Sequence, residues 1–258
     1  MTGTKENKKN GIVYICGAGP GDPKLITVRC LELIETCDIV LYDRLVSDEI
    51  ISLIPKSIDR IYVGRESGDP TTNQIKTNEL MVYHALNGKK VLRLKGGDPF
   101  IFGRGGEEAQ ILVENSIPFE IIPGISSAIG SAVYSGIPLT YRNISSSVAL
   151  ITGHEDPTKE KKYVNWSKLA NAVDTIVILM GLENLSNIIK ELKKGGMPID
   201  TPIAIIQKGT TNQQRIFTAI INDDICQIIE KNNIRPPSVI IIGKVVNLSK
   251  EISWFISQ

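Results

Sequence analysis

Three glycine-rich turns hold the residues best suited to grip a ligand through the backbone: Gly17-Ala18-Gly19-Pro20-Gly21-Asp22, the run Gly96 to Gly106, and Pro123-Gly124-Ile125-Ser126-Ser127-Ala128. Glycine has no Cβ, so main-chain amides there can approach a ligand closely. The second turn places five glycines within eleven positions, with Asp98 and Arg104 among them. An ordinary connector does not justify that loss of backbone entropy. The third offers the hydroxyls of Ser126 and Ser127 at a helix start, where simple capping would also account for them. The first nearly matches the dinucleotide fingerprint, with Asp43 closing the second strand where a ribose-binding carboxylate would fall. The match fails because Asp22 stands at the last glycine position and Pro20 removes an amide. For this loop alone, a tight strand-to-helix turn is the plain alternative.

Other catalytic constellations are missing from the pattern. The two histidines, His84 and His154, have no acidic or cysteine partner at metal-ligand spacing, and no Gly-x-Ser-x-Gly elbow occurs. Neither a metal centre nor a serine triad is expected, which leaves catalysis to carboxylates and cations. The four cysteines (Cys16, Cys30, Cys37, Cys226) lack CxxC spacing, and Cys16 sits in an apolar run, so buried thiols are expected and not a disulfide framework.

Each glycine turn follows a short apolar, β-branched run: Ile12 to Cys16, Val91 to Leu94, Phe119 to Ile122. With Ile39–Tyr42 and Ile61–Val63 these read as buried strands. They alternate with helical segments near Leu25–Thr36, Asp48–Ile54, Asn73–Leu86, Gly105–Asn115 and Ser127–Ser135. Such alternation predicts a parallel sheet covered on both faces, with the glycine turns at the carboxyl strand ends where α/β sheets bind ligands. After a connector at residues 136–147, the second half predicts strands at Val148–Thr152, Thr175–Met180, Ile203–Gln207, Arg215–Ala219 and Val239–Ile242, but only two clear helices, near Leu185–Lys194 and Asp223–Asn232. A mixed sheet with a hairpin around Gly209–Asn212 fits that count. Thr158–Lys162 and Asn165–Ala170 read as a polar surface excursion. The expected organisation is therefore α/β throughout: a disordered tail at 1–10, an N-terminal domain at 11–135, the connector, and a C-terminal domain at 148–258, with the ligand cleft between the domains.

Bulk properties narrow the partners. Across 258 residues the chain is 42% hydrophobic and 22% charged, with a net charge of +1. No global basic field points to nucleic acid, and no apolar stretch near membrane length occurs. The polar, lysine-rich Met1–Asn10 lacks the apolar region of a secretion signal, so a cytoplasmic protein is expected.

Taken together, Gly17 to Asp22, Leu41-Tyr42-Asp43-Arg44-Leu45-Val46-Ser47, Leu94 to Glu108, Pro123 to Ser127, Gly136 to Arg142, Thr152-Gly153-His154 and Met180-Gly181-Leu182 resemble the uroporphyrinogen-III C-methyltransferases of the tetrapyrrole methylase superfamily. The resemblance implies two α/β domains, a homodimer, S-adenosylmethionine as methyl donor with S-adenosylhomocysteine as product, no metal, and methylation of uroporphyrinogen III at C2 and C7 through precorrin-1 to precorrin-2, a precursor of cobalamin and sirohaem. It further implies a donor site of Pro20, Gly96, Gly97, Asp98, Ile101, Ser126, Ser127, Met180 and Gly209, with Asp43 as proton acceptor. The family's proton donor is a lysine where this chain has Arg65. A guanidinium gives up a proton poorly and is better suited to clamping a carboxylate. Arg44, Arg104 and Arg142 would pair with further acidic side chains of the tetrapyrrole. The alternatives are a methylase acting on a later corrin intermediate and a non-catalytic S-adenosylmethionine-binding protein.

Overall fold

The computed structural model describes residues 11–64, 72–154 and 164–255. They divide into one unit ending at Ser126 and a second beginning at Ser127.

In the first unit, β1 (Ile12–Gly17), α1 (Val28–Thr36), β2 (Ile39–Tyr42), α2 (Asp48–Ile51), β3 (Asp59–Tyr62), α3 (Thr72–Leu86), β4 (Lys90–Lys95), α4 (Gly105–Glu114) and β5 (Phe119–Ile122) alternate as the sequence predicts. The five strands run parallel in the order β3-β2-β4-β1-β5. The inner strand β1 and its near neighbour β2 are almost wholly apolar because both faces are covered, whereas the edge strand β3 is mostly exposed. On one face Cys16, Val40, Leu92 and Leu94 pack with Cys30, Leu33 and Ile34 of α1 and Ile50 of α2. On the other, Val13, Ile15, Ile39, Leu41 and Val91 meet Met81 and Ala85 of α3 and Leu112 of α4. The chain thus leaves β1 towards one face and β4 towards the other, although the two strands are neighbours. That reversal opens a crevice beyond their carboxyl ends.

Local chemistry sets the helix starts. Asp22 accepts a hydrogen bond from Lys24 N at 2.8 Å and begins a separate 3-10 turn, Pro23–Leu25. Thr27 Oγ1 accepts from Cys30 N at 3.2 Å, so α1 begins at Val28 and not at Leu25. Cys16, Cys30 and Cys37 are buried free thiols, whereas Cys226 is exposed.

The second unit comprises α5 (Ser127–Tyr134), β6 (Val148–Thr152), α6 (Trp166–Leu169), β7 (Thr175–Leu179), α7 (Leu185–Lys194), β8 (Pro202–Gln207), β9 (Arg215–Ile220), α8 (Ile225–Lys231), β10 (Ser238–Ile242) and α9 (Ser249–Ile252). Its sheet, β6-β7-β10-β8-β9, is mixed: β6 and β7 are parallel, the other pairings antiparallel, and β8–β9 is the expected hairpin. Leu185, Ile188 and Leu192 of α7 and Ile225 of α8 cover one face, packing on Ile176, Ile178, Ile203, Ile205 and Ile240. Ala128 and Ala132 of α5 join Val177, Ala204, Ile206 and Ile241 on the other. Small residues let α5 lie close to this sheet, so the helix that the sequence groups ahead of the connector packs with the strands that follow it.

Asn165–Ala170 differs from expectation. Instead of a polar excursion, α6 buries Trp166 and Ala170 in the core with Leu169 packed against it. Thr158–Lys162 lies outside the described residues. Among the described residues, no helix is long and apolar enough to cross a membrane.

Candidate active site

At the carboxyl edge of the first sheet the three glycine turns meet backbone to backbone. Gly97 N donates to Gly19 O at 2.7 Å, Gly19 N to Gly97 O at 3.2 Å, and Ala18 N to Lys95 O at 2.7 Å. A Cβ on Gly17 would stand 2.5 Å from Gly97 O, and one on Gly124 2.4 Å from the same atom. Glycine is needed here so that one main chain can rest on another, a requirement separate from ligand approach. Gly97 also has φ +69°, which side chains rarely adopt. Asp98 ties the junction together, its Oδ1 accepting from Phe100 N at 2.8 Å and its Oδ2 from Gly124 N at 3.1 Å.

Around this junction Pro20, Gly96 and Gly97 are half-buried, Ser126 is buried, and Ile101 is exposed between exposed Phe100 and Phe102. Phe102 and Arg104 hold left-handed φ of 54° and 60°. Such strain in non-glycine residues clusters at ligand-binding loops. Arg104 Nε donates to both carboxylate oxygens of Glu107 at 3.0 Å, and that pairing, foremost, holds its guanidinium more firmly protonated than usual.

Asp43 continues the β2 face of Ile39 and Leu41 at the strand's carboxyl end, where the apolar layer gives way to charge. Its backbone N donates to Leu94 O at 3.2 Å. Arg93 Nη2 approaches its Oδ1 at 2.6 Å, and Lys95 Nζ lies 3.6 Å from its Oδ2. Beneath them, Glu108 Oε1 accepts from Arg93 Nε at 3.0 Å, Lys95 Nζ at 3.0 Å and Gln74 Nε2 at 3.2 Å. Glu108 Oε2 is buried with no hydrogen-bond partner among the described residues. Burial opposes the Arg93 charge, but Asp43 and Glu108 outweigh it and hold the guanidinium more firmly protonated.

The sequence points to Asp43 and overlooks Arg93, Lys95, Glu108 and Gln74. A signal exists: Arg93 and Lys95 alternate with Leu92 and Leu94 in a strand that otherwise reads as buried, and charges at such positions require partners.

The remaining expected residues lie on other elements. Arg44 is exposed just after Asp43. Arg65 lies outside the described residues. In the second unit, Arg142 is exposed in a turn closed by Tyr141 N to Ser145 O and Ser145 N to Tyr141 O, each at 2.9 Å. Ser127 begins α5. Met180 directly follows β7, with φ 55° and more than half its surface exposed. Gly209 sits between left-handed Lys208 and Thr210, and a Cβ on it would stand 2.2 Å from Ser131 Oγ, so the β8–β9 turn rests on α5.

The profile of the tetrapyrrole (corrin/porphyrin) methylases matches residues 12–223. The chain belongs to this family. This tetrapyrrole methylase is 48% identical over 252 residues to the uroporphyrinogen-III C-methyltransferase of Bacillus subtilis, covering 96% of each chain. It is 45% identical over 238 residues to the S-adenosyl-L-methionine-dependent uroporphyrinogen III methyltransferase of Methanosarcina barkeri, covering 92% of this chain and 93% of that one. The crystal structure of uroporphyrin-III C-methyl transferase from Thermus thermophilus complexed with S-adenyl homocysteine superposes with a TM-score of 0.77 at 35% identity, over 92% of this chain and 100% of that one. The chain spans about half the length of the siroheme synthases it matches, 52% of that from Nitrosospira multiformis.

Proposed function

We propose that this tetrapyrrole methylase transfers methyl groups from S-adenosylmethionine to C2 and C7 of uroporphyrinogen III, giving precorrin-2 by way of precorrin-1. The observation that carries this reading is identity over nearly the whole of both chains to an enzyme named for that substrate, with the glycine junction and an oriented Asp43 at one sheet edge.

The donor supplies a methyl group on a sulfonium, and the chain's task is to hold it in line with a pyrrole carbon. Orientation of this kind is worth about 7–11 kcal/mol in well-aligned systems. The donor would be held by Pro20, the Gly96-Gly97-Asp98 turn, Ile101, Ser126, Ser127, Met180 and Gly209. Asp43 would accept the proton released as the ring electrons rearrange. Arg65 would clamp a substrate carboxylate, as would Arg44, Arg104 and Arg142. At Arg104 the substrate has to displace Glu107 from the guanidinium fork.

A homodimer, a cytoplasmic location and supply of precorrin-2 to sirohaem or cobalamin synthesis belong to the same reading. Purified protein incubated anaerobically with both substrates should yield a tetrapyrrole carrying two added methyl groups by mass spectrometry. Donor binding without methylation would leave only a non-catalytic binder, and methylation confined to a later corrin would move the enzyme along the pathway.

A further inference from the structure

We propose that Lys95 is a positioning residue for Asp43 in methyl transfer: its ammonium, anchored from below by Glu108, fixes Asp43 Oδ2 while Arg93 fixes Oδ1. This rests on the methyl-transfer reading above and deepens it. Side-chain exposure is 3% for Arg93, 4% for Lys95 and 0% for Glu108, against 26% for Asp43. Among the described residues of the cluster, Asp43 is therefore the one that reaches solvent. The period of two along β4 puts both cations on the same face, and α4 lowers Glu108 onto them, so two positive and two negative groups balance in a desolvated place. Removing one leaves its partner uncompensated.

The two cations are not equivalent. A guanidinium keeps its proton at any pH an enzyme meets, whereas a buried ammonium can lose one. Among the described residues, the charged groups facing Lys95 are Arg93 on its own strand, Asp43 from the end of β2 and Glu108 from α4, and Glu108 is in turn bonded by the uncharged Gln74 of α3. Burial first, then the Arg93 charge, pull the Lys95 pKa below the ordinary lysine value, against the opposing effects of Glu108 and Asp43. The anchoring form is the protonated one, present at low and neutral pH and lost as pH rises through that lowered pKa. Above it Oδ2 has no cationic anchor and turnover falls. No bond to Lys95 forms or breaks, and no net proton is consumed there.

The test is kcat against pH for methylation of uroporphyrinogen III by the wild type, Lys95→Arg and Glu108→Gln. Lys95→Arg should keep most of its neutral-pH turnover and lose the alkaline decline, because its cation does not titrate. Glu108→Gln should move that decline about one unit or more to lower pH, since the charge that held Lys95 protonated is gone. Should Glu108→Gln not fold, Lys95→Arg decides alone. An alkaline limb in Lys95→Arg that coincides with the wild-type limb overturns the assignment. Absence of turnover in the wild type overturns the functional reading as well, so the two failures are told apart.

Discussion

Asp43 does two things at once. It presents a partly exposed carboxylate at the carboxyl edge of the first sheet and neutralises two cations that are almost wholly buried. Asp43→Asn keeps the shape and loses the charge, so we expect kcat to fall about 10²–10⁴-fold. Donor affinity by calorimetry should be unchanged, while the melting temperature drops because Arg93 and Lys95 are left with Glu108 alone. Full activity in the variant would reduce Asp43 to a member of the ion cluster. Arg104 gives a contrasting expectation. Arg104→Ala should raise the KM for uroporphyrinogen and leave donor affinity nearly unaltered, with a lost charge-assisted pair costing about 1.5–3 kcal/mol. If donor binding collapses and the substrate KM stays, the arginine serves the other ligand.

At the scale of elements, each glycine turn is a joint between strands. Gly97→Val introduces a branched side chain at φ +69°, in a turn whose amide and carbonyl both bond Gly19. We expect donor binding to be abolished in calorimetry; undiminished affinity in a folded variant would remove this turn from the donor site. Helix α6 supplies a stability counterpart. Trp166→Ala should lower unfolding free energy by about 3–5 kcal/mol in a denaturant titration, since the indole is buried in the core. The strands and their glycine turns are legible in the sequence because a parallel sheet covered on both faces writes itself as short apolar runs with glycine at the carboxyl ends. The ion cluster is not legible in the same way: Arg93 and Lys95 find partners at β2's end and on α4, and α3 adds Gln74 to Glu108, elements that no local periodicity connects. Helix α6 escapes notice because Asn165, Lys168 and Asn171 surround its apolar residues and give a polar average. Nor does the motif at Met180, one of the residues proposed for the donor, reveal its left-handed backbone.

For the whole molecule, the count of helices per strand separates a parallel first sheet from a mixed second one. The alternation of the first half groups α5 with the first sheet, whereas its Ala128 and Ala132 pack with strands later in the chain. On α5 the exposed Ile129 and Val133, one helical turn apart, are apolar surface of the kind a second copy would cover. Light scattering on the purified protein should therefore give twice the chain mass, and Ile129→Glu should shift it towards the monomer. A monomeric wild type at micromolar concentration would rule the dimer out.

Strand β4 enters the sheet between β2 and β1, which precede it in the chain and never pair with each other. During synthesis the first two strands must therefore wait, each with an open edge, until a much later segment emerges to join them. Arrival of β4 delivers Arg93 and Lys95 to Asp43 and Gly97 to Gly19 in one step. Contacts of such long sequence separation make for slow folding. They also make these features all-or-none: a chain that stalls before β4 docks has neither the glycine junction nor a paired Asp43.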